Sequence, residues 1–390
     1  MAPRLFGAFD LILAGAVSSI ILLAAVSAAA QDRAATDLAR NIDALSAFDY
    51  GTRMNAARMV RRTAASEAIP ALSRAVRTHT DQFVRYRALV LLSAFNDPGT
   101  GAIMRGLLPD RNDRVREVAY RWFERRPEPA LHETLLAALN TEQAEFVRPA
   151  LIRALAAHAD NMAVERALLA EAGRGFDFFR SAVIQALGEH RATYAVKTII
   201  PITALEGPLQ DDAILALGRI GDRAAVPTLS SLTTVPPEAA PALEAARCML
   251  GDKCDERIAW LAQSARAQER PAIARATVAA LGAVASEGQS AAIDALFELE
   301  RTNNRLRGDV AVTLGTMALR RPEETIKWLA EAPADRRTRA IELLREGFES
   351  LEEDFAEEQF FATARAAYWA APEGSAARTL TASLIDRLEF

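Results

Sequence analysis

One apolar position recurs along most of this chain at intervals of 30 to 33 residues. Four residues before each copy stands another apolar or small residue, so the two positions share one face of a helix. The ten copies, called marker residues below, are Val60, Leu92, Phe123, Leu155, Leu187, Leu217, Leu250, Leu281, Leu314 and Leu344. A period of this length is typical of repeat architectures, in which each unit buries its apolar face only against its neighbours. The 390-residue chain must therefore build its core between stacked repeats.

Each repeat is predicted to be a pair of helices. In the clearest copy, residues 212–218 form the first helix, which we expect to end at Gly218 in a left-handed C-cap. After a turn at Gly221, residues 225–232 form the second helix, with Pro227 in its first turn, where a missing N–H costs nothing. The predicted fold class is all-α, an α-solenoid of about ten two-helix repeats with terminal caps.

The stretch from Leu217 to Leu229, LGRIGDRAAVPTL, resembles a HEAT-like repeat of the short subtype seen in phycobilisome lyases. By periodicity the resemblance covers residues 45–345, and it is sharpest over residues 180–300. The first three repeats lack the Leu-Gly pair and depart from the family pattern. The resemblance implies an α-solenoid whose concave surface is formed by the second helices, and it implies no single function.

Residues 1–30 are predicted to be a signal peptide. Residues 11–30 carry no charge, and the small residues that precede Gln31 suit cleavage after Ala30. The alternative is an uncleaved membrane anchor through residues 11–30, because about 20 apolar residues can span a bilayer. In the first case the protein is periplasmic or secreted, and in the second it is held at the membrane with its body outside the cytoplasm.

Three further segments follow the predicted signal peptide. Residues 31–48 are expected to form an N-terminal cap helix, residues 49–348 the HEAT-like repeats, and residues 349–390 a C-terminal helical cap. The last segment mixes acidic residues with three phenylalanines between positions 355 and 361. Solenoids need atypical ends because their last apolar face must be shielded from water.

The charge of the chain excludes one class of partner. A net charge of −5 at pH 7 is unsuited to general nucleic-acid binding, which requires a basic surface that displaces counterions. Residues 31–200 carry 24 basic and 20 acidic side chains, whereas residues 201–390 carry 21 and 30. The more basic half could contact anionic lipid or an acidic partner, or it could be an ordinary solvated surface. Of the 46 basic residues only 3 are lysine, which we interpret as codon bias of a GC-rich bacterium.

An arginine recurs seven residues before the marker residue in seven of the repeats. These repeat arginines are Arg53, Arg85, Arg116, Arg148, Arg180, Arg307 and Arg337. A row of guanidinium groups could bind an anionic ligand. We favour the other interpretation, that each arginine braces the adjoining repeat through carboxylates or helix-end carbonyls, since a repeated residue usually serves the repeat itself.

Two tryptophans occupy equivalent positions in second helices that lie two repeats apart. Trp260 follows Ile258 by two residues, on the flank of the apolar stripe, and Trp328 has the same setting. With their neighbours Arg257 and Lys327 they are the predicted partner-binding residues, because tryptophan is a frequent anchor in interfaces. The alternative is that both indoles fill grooves between repeats.

Cys248 and Cys254 flank the turn at Gly251 and are predicted to form a structural disulfide. Their Cα atoms could approach bridging distance, and export would permit oxidation. Two free thiols are the alternative. Redox catalysis is disfavoured because the spacing is not C-x-x-C.

No catalytic constellation is visible in the sequence, and no cofactor or metal site is predicted. His158 and His190 each follow a marker residue by three positions, so they are expected to be neighbours, more suited to capping than to metal binding. The sequence favours an exported, non-catalytic adaptor that binds a protein partner on its concave face. The alternatives are a lyase-like or cofactor-handling helper enzyme of HEAT-like type, and a structural protein at the membrane surface.

Overall fold

The computed structural model describes residues 35–389, apart from Asn96 and Ala159. Over these residues it contains helices and turns and no strand, so the predicted all-α fold is confirmed. The predicted signal peptide, the first residues of the N-terminal cap and Phe390 lie outside the described residues. Between residues 35 and 389, none of the described helices combines the length and the hydropathy needed to cross a membrane.

The chain divides into two compact units, and the first covers residues 35–97 of the described range. Its helices are α1 (35–43), α2 (Tyr50–Arg62), α3 (Ala65–Thr78) and α4 (Gln82–Ser93). Aspartates begin two of them, because the carboxylate of Asp49 accepts the N–H of Thr52 and that of Asp81 accepts the N–H of Phe83. Leu45 and the marker residues of α2 and α4 are fully buried inside this unit.

The second unit covers residues 98–389 and contains the remaining eighteen helices of the described range. They are α5 (Thr100–Leu107), α6 (Asp113–Arg125), α7 (His132–Thr141), α8 (Arg148–Ala156), α9 (Met162–Gly173), α10 (Asp177–Glu189), α11 (Val196–Ile199), α12 (Pro208–Ile220), α13 (Val226–Ser231), α14 (Ala240–Met249), α15 (Cys254–Ala267), α16 (Pro271–Ser286), α17 (Ser290–Thr302), α18 (Arg307–Arg320), α19 (Pro322–Glu331), α20 (Ala334–Leu351), α21 (Asp354–Ala370) and α22 (Ala376–Leu388). Short 3-10 turns lead into α7, α11, α13 and α18.

The marker residues lie on the even-numbered helices from α2 to α20, as predicted for the first helices of the repeats. Nine of the ten are buried, and Leu250, just after the end of α14, is partly buried. The odd-numbered helices from α3 to α19 are the second helices. The periodic position therefore marks the core between stacked repeats, and the predicted solenoid of HEAT-like repeats is confirmed.

The end of α12 differs from the prediction. The helix continues through Gly218 to Ile220, and Gly221, with a φ of 75°, is its left-handed C-cap. Gly218 serves helix packing instead, because a Cβ atom there would lie 2.6 Å from the Cα atom of Ala246 in α14. Gly188 in α10 has the same relation to Ala216 in α12, at 2.8 Å. The Leu-Gly pair thus allows successive first helices to approach one another closely.

The last two helices cover the end of the repeat array. α21 packs against α18 and α19, and α22 packs against α19 and α20. Phe355, Phe360 and Phe361 of α21 are all buried, and the last two meet Phe348 of α20 with ring centroids 5.2 and 6.4 Å apart. The acidic side chains around these phenylalanines belong to a helix whose aromatic face shields the final first helix from water.

Candidate functional site

The repeat arginines brace the adjoining repeats. In four of them the guanidinium donates to a carbonyl near the end of the preceding second helix, eight or nine residues earlier. The N···O distances are 2.8 Å for Arg85 to Val76, 2.8 Å for Arg148 to Leu139, 3.1 Å for Arg180 to Ala172 and 2.9 Å for Arg337 to Leu329. Backbone carbonyls at a helix end have no partner within their own helix, so these hydrogen bonds satisfy them.

Carboxylates complete the bracing at several repeat arginines. Arg116 makes a two-pronged ion pair with Glu142, the residue that directly follows α7, at 2.7 and 2.8 Å. Arg307 likewise binds Glu300 and Glu346. The hydrogen bonds that Arg116 donates to the Glu142 carboxylate raise the pKa of Arg116. These contacts confirm the bracing interpretation of the arginine series.

The fixed spacing of the repeat arginines misses one arginine that makes the same kind of contact. The repeat of α14 has Leu243 at the expected position, and Arg247, one turn later, takes over its contact. Its guanidinium donates to the carbonyls of Leu229 and Leu232 in the preceding repeat, at 2.8 and 3.2 Å. A search that allowed a shift of four residues would have found it, because residues four apart share a helix face.

The C-terminal ends of seven first helices, α6, α8, α10, α12, α16, α18 and α20, surround a cavity of about 500 Å³ within the second unit. Across it, Arg121 of α6 pairs at 2.7 Å with Glu353, which lies 232 residues later. Arg125 of α6 donates to the carbonyl of Leu319 in α18 at 2.9 Å. This inner surface is formed by first helices, so the expectation that second helices form the concave surface is wrong.

The reason lies in the helix contacts. First helices meet at glycine and alanine, as at Gly218 and Ala246, and therefore pack closer together than the second helices of the same repeats. A stack of helix pairs bends toward the side on which its members are closest. The Leu-Gly pair, from which the sequence predicts a helix end, marks this close packing instead.

The lining of this central cavity is strongly charged. Its glutamates are Glu124, Glu189, Glu287 and Glu353. Its six arginines, called the cavity arginines below, are Arg121, Arg125, Arg153, Arg219, Arg320 and Arg321. Most of the cavity arginines lie near the C-terminal end of a first helix, whereas most of the repeat arginines lie near an N-terminal end.

Two of the glutamates link helices across the cavity. Glu189 at the end of α10 pairs with Arg153 of α8 at 3.4 Å and with Arg320 of α18. Burial opposes ionisation of Glu189, but these arginines hold its pKa below the ordinary value. Glu287, just after α16, pairs with Arg191 and, at 3.4 Å, with Arg321. These ion pairs hold repeats together that are far apart in the sequence.

Two of the cavity arginines have fewer hydrogen-bond and ion-pair partners than the others within the described residues. Arg125 has the single carbonyl contact described above. Arg219 of α12 has neither an ion-pair partner nor a hydrogen bond from its guanidinium within the described part of the chain. Burial lowers the pKa of both guanidinium groups, and neighbouring arginines add to this effect while nearby glutamates oppose it. Arginines nevertheless outnumber glutamates among the residues that line this cavity.

The predicted partner-binding tryptophans have different surroundings. Trp260 on α15 is 41% exposed. Trp328 on α19 is partly buried and stacks on Phe297 of α17, with ring centroids 5.6 Å apart. Trp328 also lines a second, more apolar cavity of about 350 Å³ together with Ile293 and Met317, and Trp260 is not part of that cavity. The structure does not bring the two indoles into one site.

The predicted neighbours of the two tryptophans also differ. Arg257 is held by ion pairs with Glu244 at 2.6 Å and Asp252 at 2.9 Å. Lys327 is exposed to solvent next to Trp328. The side chain of Lys327 is thus available at the surface, whereas that of Arg257 helps to fix the turn between α14 and α15.

A family model of HEAT repeats matches residues 38–121. This is a HEAT-like repeat protein. The match covers the N-terminal repeats, which depart most from the pattern of residues 180–300, and the helical pairs of the structure extend the architecture to α20. No curated protein matches the chain. HEAT repeats are generally non-catalytic and mediate protein–protein interactions.

The histidines of this HEAT-like repeat protein pair differently from the expectation. His158 is buried against His132, with 3.2 Å between Nδ1 of His158 and Nε2 of His132. The amide of Asn161 donates to Nδ1 of His132, so the Nε2–H of His132 donates to His158. His190 instead faces Glu124 at 3.8 Å beside the central cavity. The expected pairing of His158 with His190 is wrong, because the turn after α8 directs His158 toward α7.

The environment of His158 disfavours its charged form. Its Nε2 atom is buried and has no hydrogen-bond partner in the described structure. Burial, followed by the neighbouring His132, lowers the pKa of His158. Over the described residues no group of three or more histidine, cysteine, aspartate or glutamate side chains is placed to hold a metal ion.

Cys248 and Cys254 are joined by a disulfide in the structure, with Cα atoms 4.1 Å apart. Cys248 lies near the end of α14, and Cys254 is the first residue of α15. The bond closes the turn that also contains Gly251 and Lys253, both with positive φ. It fixes the angle between the two helices of one repeat.

Proposed function

We propose that this HEAT-like repeat protein is an exported, non-catalytic adaptor that binds a protein partner. The general role of HEAT repeats in protein–protein interactions supports a scaffold function. A stacked helical array also presents a long surface that is already ordered, so little conformational entropy is lost when a partner binds.

The binding surface we propose lies around Trp328, and the apolar cavity beside it is the observation that carries the proposal. Ile293, Leu314 and Met317 give this cavity an apolar lining, and Glu324 contributes a charge. An apolar side chain of the partner would enter the cavity and contact the indole, while Lys327 would contact an acidic group nearby. Buried aromatic anchors with a polar surround are typical of energetically dominant interface residues.

Trp260 and Arg257 form the second part of the proposed surface. Trp260 is exposed on α15, and Arg257 stands one turn earlier on the same helix. Because the two tryptophans lie on different second helices, a partner that contacts both must extend over more than one repeat. Trp328 should contribute more than Trp260, since it combines an apolar cavity with partial burial.

Native mass spectrometry of the protein, purified gently from the cell envelope, tests the adaptor function. A stoichiometric second polypeptide is the expected result, and a bare monomer would contradict it. Affinity for that partner is then measured for Trp328→Ala and Trp260→Ala. Loss of a dominant aromatic anchor costs about 2 kcal/mol or more, which is about 30-fold in Kd.

Trp369→Ala is the matched control for these variants. Trp369 is 73% exposed on α21 and lies outside the proposed surface. Trp369→Ala should leave both the Kd and the thermal unfolding curve unchanged, whereas Trp328→Ala should raise the Kd and, because it removes the stacking on Phe297, also lower the unfolding temperature. Equal affinities for Trp328→Ala and Trp369→Ala would exclude this surface.

Export is tested by the N-terminus of the mature protein. If residues 1–30 are a cleaved signal peptide, protein recovered from the periplasm should begin at Gln31. A chain that retains Met1 and sediments with membranes would instead support the anchor through residues 11–30. Recovery of the intact chain in the cytoplasm would contradict export altogether.

A further inference from the structure

The charges that line the central cavity do not cancel. Six arginines face four glutamates, and the glutamates already have partners. Glu353 binds Arg121, Glu189 binds Arg153 and Arg320, Glu287 binds Arg191 and Arg321, and Glu124 faces His190. Among the residues that line the cavity, arginines thus outnumber glutamates by two, and Glu117, outside the lining, also pairs with Arg121 at 3.5 Å.

The C-terminal ends of the surrounding helices could account for part of this excess, since they carry partial negative charge. Two arginines do serve such ends. Arg125 donates to the carbonyl of Leu319, and Arg191 donates to that of Arg219 at 3.2 Å. The guanidinium of Arg219 makes no such hydrogen bond within the described residues. Helix ends therefore explain Arg125 and Arg191 and leave the side chain of Arg219 unexplained.

Arg219 is positioned to bind something that the protein itself does not supply. It projects from α12 into the same cavity as Arg153 and Arg320, whose shared partner Glu189 also attracts it. The side chain of Arg219 is partly buried, so it loses part of its hydration without forming an ion pair in return. A bound anion would remove that cost.

We propose that the central cavity is a binding site for a phosphate-type oxyanion, with Arg219 as its principal ligand and Arg125 and Arg320 beside it. A guanidinium fork matches two oxygens of a phosphate, and several forks around one cavity can each take an edge of the tetrahedron. An anion would offset the excess of arginines over glutamates in the lining. At about 500 Å³ the cavity has the size of ordinary small-molecule sites.

Anion binding at this site would be additional to the proposed adaptor function, which requires no small ligand. Ser286, Glu287 and Arg321 line both the central cavity and the apolar cavity beside Trp328. An organic phosphate could therefore place its phosphate among the cavity arginines and its carbon skeleton toward the apolar side. Free phosphate and a phosphate monoester share the chemistry that Arg219 would recognise.

Isothermal titration of the full chain with inorganic phosphate, in a phosphate-free buffer at constant ionic strength, tests the site. We expect saturable binding that strengthens from pH 6 to pH 8, as phosphate becomes a dianion. Arg219→Met should weaken it at least tenfold, and Arg219→Lys, which keeps the charge and loses the fork, should fall between. Arg301→Met is the control, because Arg301 is exposed and pairs with Glu298 along α17, away from the cavity lining.

The possible results of these titrations distinguish a specific anion site from its absence. Equal affinity in Arg219→Met and Arg301→Met, or no saturable heat with the unmodified chain, would overturn the proposal. If Arg219→Met does not fold, Arg219→Lys carries the comparison, since it retains the charge. A second titration with glycerol 3-phosphate distinguishes the sources of the anion: tighter binding than inorganic phosphate indicates an organic phosphate, and weaker binding indicates the free ion. Partner capture by the Trp328 surface is measured independently, so either proposal can fail alone.

Discussion

The repeat arginines and the cavity arginines are the same residue type on the same helices, yet their surroundings differ. Arg148 and Arg307 are the first residues of their helices and meet carbonyls or carboxylates that lie close in sequence. Arg125 and Arg320 are the last residues of theirs and face residues from distant repeats. One set is neutralised by its own repeat and its neighbour. The other depends on how the whole second unit closes.

This difference shows that residues serving the repeat recur at a fixed spacing, whereas the residues of the proposed site do not. An arginine that every repeat needs recurs at a fixed position, because the carbonyls it binds recur too. Arg219 belongs to no such series, since its neighbours in the cavity come from several repeats. Its surplus charge is a property of the assembled cavity.

The largest effect is expected for a repeat arginine. Arg116→Met leaves Glu142, whose side chain is only 4% exposed, without its two-pronged partner. An uncompensated buried carboxylate should lower the free energy of unfolding by about 3 kcal/mol. The urea midpoint measured by circular dichroism checks this. The double variant with Glu142→Gln should recover part of the loss, and a fall of less than 1 kcal/mol in the single variant would mean that the pair acts as an ordinary surface ion pair.

In phosphate-free buffer, Arg219→Met is expected to change the free energy of unfolding less than Arg116→Met does, and in the opposite direction. Burial lowers the pKa of Arg219, which means that its charged form is disfavoured where it lies. Replacing it with an apolar side chain should raise the free energy of unfolding by about 1–2 kcal/mol. The same urea experiment measures this change. A destabilisation as large as that of Arg116→Met would show that Arg219 also braces the fold, and the distinction between the two sets would fail.

The smallest expected change in the free energy of unfolding comes from His158, a buried base whose protonation depends on pH. The pKa of His158 is lowered in the folded protein, so below the ordinary value of about 6.5 the unfolded chain binds a proton that the folded chain does not. The stability contributed by neutral His158 is present above that pH and is lost as the pH falls below it. Between pH 6.5 and pH 5, unmodified protein should lose about 1 kcal/mol more than His158→Gln.

Parallel pH profiles for the two proteins would contradict the burial of His158. His79→Gln is the companion control, because His79 sits in the first unit and bonds the exposed carboxylate of Asp43 at 3.1 Å. It should not reproduce the difference. A response in both variants would indicate a general effect of acid on the chain.

Much of the fold was predictable from local regularity. Val60 and its nine equivalents mark the even-numbered helices, and Pro227 starts a second helix as expected. The bracing by repeat arginines also followed, because both donor and acceptor recur with the period. Gly218 was predicted as a helix end and is a packing residue, since a glycine that permits close approach and one that ends a helix look alike in one sequence.

The candidate sites were less predictable. Trp328 lies on a second helix, as its spacing predicts, but its stacking on Phe297 and its apolar cavity depend on the angle between α17 and α19. The contact between His132 and His158 depends on the direction of one turn. Neither the helix angle nor the direction of the turn can be derived from the spacing of residues in the sequence.

By itself the sequence determined an all-α array of helical pairs, because a 31-residue period of apolar positions can be buried only by stacking. The tertiary structure alone decided which helices face inward and which distant residues meet. Small displacements between neighbouring first helices, set by contacts such as Gly218 with Ala246, add up over the repeats of the second unit. Their sum brings Arg121 to Glu353 and places Arg219 in a charged cavity, and an accumulated angle of this kind cannot be read from any single repeat.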